Sequence, residues 1–152
     1  MSVDNSQRNI LVALLAIHKE RITRYEELLL HVPKDAIMFR SVIEDIIAQG
    51  RTFKQALIEV LSEYGDVQDI TSEPDRPEFY DVWCGSVRSM QGKTWVNQVL
   101  DVEKAILDVY QMILITPTLD ESLEKILQSQ QDELDYGIAK VRLAARKATQ
   151  KG

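Results

Sequence analysis

"LLAIHKERITRYEELL", residues 14 to 29, and "VLDVEKAILDVYQMIL", residues 99 to 114, decide the fold between them. In each, an apolar row at alternating spacings of 4 and 3 is broken by one polar group seven residues before a tyrosine: His18 before Tyr25, Glu103 before Tyr110. Such spacing marks one face of an α-helix, because side chains three and four apart lie above one another. Each stretch therefore predicts a helix with a single polar group at the middle of its core row.

Outward from these stretches the pattern gives four helices, at about residues 7–30, 36–64, 94–114 and 119–148. The first carries Leu11, Leu15, His18, Ile22, Tyr25 and Leu29. The second carries Phe39, Ile43, Ile46, Gly50, Phe53, Leu57, Val60 and Tyr64, with Gly65 as a natural stop. The third, with Thr94 as its N-cap, carries Val96, Leu100, Glu103, Leu107, Tyr110 and Leu114. The fourth, opened by a capping box from Thr118 to Glu121, carries Leu123, Leu127, Gln130, Leu134, Ile138 and Val141. A second apolar row on the third helix, Val99, Val102, Ile106, Val109 and Ile113, needs a cover, either a helix of the connection or a second subunit.

Short loops at 31–34 and 115–118 make the helices within each half antiparallel neighbours, and shifts of 84 to 85 residues superpose the two halves as related hairpins. The connection, residues 65–93, is long enough to run back along the second helix, and "FYDVWCGSVRSM" within it predicts a short extra helix. The fold class is then all-α: two helical hairpins joined by a long crossover, which is the ferritin-like four-helix arrangement. At 152 residues the chain is expected to be a single domain.

Composition excludes little but excludes it physically. With 45% hydrophobic and 28% charged residues and a net charge of −6, a globular protein is expected, and nucleic acid is disfavoured as partner. No stretch approaches the ~20 apolar residues of a membrane span, and "MSVDNSQRN" is not a signal peptide, so a cytoplasmic protein without a membrane partner is expected. Cys84 is the one cysteine and reads as a packed or half-exposed thiol. His31, at the end of the first helix, reads as surface. Lys140, Arg142, Arg146, Lys147 and Lys151 form an acid-free C-terminal stretch, a solvated helix end with an anionic partner as the sharper alternative. Trp83 and Trp95 are expected under the crossover.

A ferritin-like bundle that binds two metals takes a carboxylate from each of two helices and an E-x-x-H pair from each of the others. No E-x-x-H occurs here, and the second helix puts Ile46 on its core row. No catalytic residue, cofactor or metal is therefore expected. The polar groups of the core, His18, Tyr25, Tyr110 and Gln130, are expected to satisfy Glu103 by hydrogen bonds, since an unpaired buried carboxylate would cost several kcal/mol. The competing reading is a reduced site for iron, zinc or manganese, with His18, Glu103, Asp132 and Asp135 as candidate ligands.

"LLAIHKERITRYEELL", "QGRTFKQALIEVL" (residues 49–61), "VWCGSVRSM" (82–90) and "VLDVEKAILDVYQMIL" together resemble the bacterial ferritin-like four-helix-bundle proteins of the PA type, a domain of unknown function, over about residues 8–145. The resemblance implies the ferritin-like fold and no particular activity, with Glu103 and Tyr110 at the family's helix 3 acid and tyrosine and Tyr25 at its helix 1 tyrosine. Where the family tends to carry a histidine on the fourth helix, this chain has Asp135. The expected function is non-enzymatic: a bundle acting by association, as a homodimer or with another protein, in the stress physiology that proteins of this look suggest.

Overall fold

The computed structural model describes residues 5–64, 76–117 and 119–150. Among these residues all regular structure is helical: α1 (Asn5–Leu29), α2 (Ile37–Leu61) with a 3-10 turn at Ser62–Tyr64, α3 (Glu78–Arg88), α4 (Trp95–Leu114) and α5 (Glu121–Gln150). The expected helix 36–64 is thus α2 plus its 3-10 extension. Residues 65–75 of the expected connection 65–93, with Gly65 the expected stop, Thr118 of the expected capping box and Lys151 lie outside the described residues. Among the described residues no helix is long and apolar enough to cross a membrane.

Side-chain pairings give the helix directions. From α1 to α2, Arg21 reaches Gln49 and Arg51 reaches Glu26, while Arg40 donates to the carbonyls of Leu29 and Val32 at 2.9 Å and so caps the end of α1. Going along α1 from Arg21 to Leu29 the partner on α2 moves back from Gln49 to Arg40, so the two helices are antiparallel. From α1 to α4 the pairs are His18 with Tyr110, Arg21 with Glu103 and Tyr25 with Val99, again antiparallel. α2 and α4 therefore run in the same direction. α5 packs against both.

Local chemistry sets the starts. Thr94 caps α4, its hydroxyl accepting from the Asn97 amide, and Gly92 at φ 83° supplies the left-handed turn just before it. α3 begins directly after Pro77, whose fixed φ suits a helix entry. On α2 the expected row is buried from Phe39 through Leu57, and Val60 and Tyr64 are half-buried.

On α4 the two apolar rows exchange importance. Val99, Val102, Ile106, Val109 and Ile113 are at most 3% exposed, whereas Val96, Leu100 and Leu114 of the row read as core are half-buried. The cover is α3, which packs on α4 and α1 and buries Phe79, Trp83 and Val87. Burying those three side chains contributes roughly 1.5–3 kcal/mol each, enough to hold a short helix in place. Trp83 also donates its indole N–H to Glu20 at 3.3 Å, and Trp95 packs edge-on against Phe39.

Candidate functional site

The polar groups of the interior form two separate hydrogen-bonded sets where α1, α2, α4 and α5 meet. The first centres on Glu103 of α4. Arg21 of α1 holds its carboxylate in a two-point grip, Nη2 to Oε1 at 2.7 Å and Nε to Oε2 at 3.1 Å. Tyr25, one turn along α1, donates its hydroxyl to Oε2 at 2.6 Å. Arg21 Nη2 also donates to Gln49 of α2 at 3.2 Å. The fork matches the planar carboxylate and meets its charge with two hydrogen bonds, while Arg21 Nη1 is buried without a hydrogen-bond partner among the described residues.

The second set joins all four long helices. Tyr110 of α4 donates to Gln130 Oε1 at 2.6 Å, and Gln130 donates its amide to the Phe53 carbonyl at 3.4 Å. A phenol has one proton, so the 2.7 Å bond between Tyr110 and His18 Nε2 requires the imidazole to donate. His18 is therefore the Nε2–H tautomer, and its Nδ1 is a buried acceptor with no partner among the described residues. Phe53 and Tyr110 both meet the His18 ring edge-on.

Burial governs the electrostatics. His18 is held well below the usual histidine pKa by burial first, then by the Arg21 and Lys54 charges, and is neutral. Tyr25 is raised well above the usual tyrosine value by burial and then by Glu103, and Tyr110 is raised by burial. Burial alone would weaken proton binding by Arg21, but the Glu103 carboxylate more than reverses this and leaves its pKa raised.

A groove of about 530 Å³ opens between α2 and α5, with Glu103 of α4 among its lining and Asp45, Gln49, Asp132, Glu133 and Lys140 along it. Of the four ligand candidates from the sequence, Glu103 and Asp132 share this groove, His18 belongs to the second hydrogen-bonded set, and Asp135 is an exposed residue of α5. Among the described residues no three His, Cys, Asp or Glu side chains gather closely enough to hold a metal ion. Tyr25 is the one member of the expected polar cluster that touches Glu103; His18, Tyr110 and Gln130 bond to each other instead.

Arg21 is the functional residue that core-row reasoning missed. It stands three residues after His18 and four before Tyr25, on their face of the helix, and it is fully buried. Gly50 makes room beside it: a Cβ there would lie 2.9 Å from Ile22 Cγ1 and 3.6 Å from Arg21 Nη1. Gln7, also buried, accepts from the backbone amide of Asp120 at 3.0 Å and ties the start of α1 to the start of α5.

No family model, curated protein or solved structure matches the chain.

Proposed function

We propose that the chain is a ferritin-like four-helix bundle that works by association, in the first place with a second copy of itself, and does not turn over a substrate. One observation carries the reading: the buried carboxylate at the centre already holds a cation, the protein's own Arg21, with Tyr25 as a third donor on Oε2. The Arg21–Glu103 pair thereby locks α1 to α4 and occupies the one buried carboxylate among the described residues. The parallel course of α2 and α4, with α3 in the segment between them, supports the ferritin-like arrangement. The outer surface supports association, since Leu30, Ile37 and Tyr136 are at least 70% exposed. The bacterial four-helix family and the stress-related setting belong to the proposal through the sequence stretches that resemble that family.

A metal-binding reading has one observation on its side, the shared groove of Glu103 and Asp132. The donor set does not fit an ion. Both oxygens of Glu103 face a guanidinium, so a second cation there would meet like charge, and among the described residues no three His, Cys, Asp or Glu side chains gather to hold one.

Sedimentation equilibrium of the full chain across micromolar concentrations tests the proposal. A reversible dimer is the expected result. A monomer at every concentration would contradict self-association.

A further inference from the structure

α5 segregates its charges along its length. Exposed Asp132, Glu133 and Asp135 precede the helix midpoint, and exposed Lys140, Arg142 and Lys147 follow it. None of the six takes part in an ion pair among the described residues. Between and beside them stand two apolar side chains on one outer face, Tyr136 at 70% exposure and Leu143, seven residues on, at 48%. Gly137 keeps the surface there low, with nothing within 4 Å of the position a Cβ would take.

Such a helix is complementary to itself in one direction only. Two copies side by side and parallel would set acid on acid. Two copies antiparallel, about a twofold axis near Ile138, set the acidic half of each on the basic half of the other. The spacing within α5 agrees with this. Asp135 and Arg142 are seven residues apart on the flank toward α4, where Arg142 lies beside Val96 and Leu100. Glu133 and Lys140 are seven apart on the flank toward α2, where both line the groove with Asp45. Antiparallel pairing of identical helices places each flank against its own counterpart, so each acid meets the base seven residues along, and by symmetry each pair forms twice.

We infer that the protein dimerises through α5, packed antiparallel on α5 of a second copy, with Tyr136 and Leu143 at the centre and the pairs Asp135 with Arg142 and Glu133 with Lys140 on the two flanks. The inference rests on the association reading and names its surface. The other apolar face that called for a partner, on α4, is covered by α3 and is not available for this purpose.

The test is sedimentation equilibrium on the full chain, its Asp135→Arg and Arg142→Asp variants, and a mixture of the two variants, with helical circular dichroism to verify folding. Each variant alone places like charges opposite one another twice and should weaken the dimer by about tenfold or more. The mixture should recover wild-type affinity, because each variant carries the charge its mate lacks. A wild-type dimer whose affinity neither substitution changes would overturn the α5 interface and leave association standing. A wild-type chain that stays monomeric would overturn both.

Discussion

Arg21 and Glu103 face each other across α1 and α4 with two hydrogen bonds, at 2.7 and 3.1 Å, and neither residue is more than 2% exposed. A buried ion pair of this kind is weak as net stabilisation but severe as a constraint. Desolvation offsets most of its Coulomb gain, whereas removal of either partner strands a charge in the interior.

Arg21→Met and Glu103→Leu should each cost about 3–5 kcal/mol, and the double variant should cost less than either single one. Glu103→Gln keeps an acceptor for Tyr25 and should be tolerated better than Glu103→Leu. Urea unfolding of the four variants and the wild type measures this. A double variant as unstable as the sum of the singles would show that the two residues act independently.

The pH dependence of stability follows from His18. Its folded pKa lies well below the ordinary value of 6.5, so the unfolded chain takes up a proton that the folded chain refuses. Stability is fully present above about pH 6.5 and falls as pH drops below it, by up to about 1.4 kcal/mol per pH unit from this group. His18→Gln should flatten that slope between pH 6.5 and 5. An unchanged slope would place the responsible proton elsewhere.

Two glycines in long helices should respond with opposite sign. Alanine at position 50 must push Ile22 aside beside the buried guanidinium, and overpacking of this kind costs about 1–3 kcal/mol, more than the ~1 kcal/mol alanine returns in helix propensity. Alanine at position 137 meets nothing within 4 Å and should raise the stability of the folded monomer by up to about 1 kcal/mol. Thermal unfolding at low protein concentration, where the monomer is followed, reads both.

The helical pattern was legible because its period is a property of single helices. Phe39, Ile43, Ile46, Gly50, Phe53 and Leu57 are spaced as a buried face and are buried. The same spacing placed His18, Tyr25, Glu103, Tyr110 and Gln130 inside, where the structure has them. Distances between helices carry no such period. Nothing along the chain says that Tyr25 reaches Glu103 while His18 stops at Tyr110. Nor does periodicity choose between the two apolar faces of α4, whose burial depends on where α3 settles.

Arg21 was hidden by habit of classification more than by lack of signal. An arginine next to a core row is ordinarily a flank residue with its charge in water. Glu103 on a core row demanded a hydrogen-bond donor, a proton or a cation, and the rule that aligned His18 with Tyr25 also aligned Arg21 with both.

The central claim is that the carboxylate in the middle of the bundle is held by the protein's own guanidinium, and elemental analysis of chain purified without chelator tests it most directly. Iron, zinc and manganese should each be far below one per chain and indifferent to Glu103→Ala. Near-stoichiometric metal that disappears in that variant would contradict it.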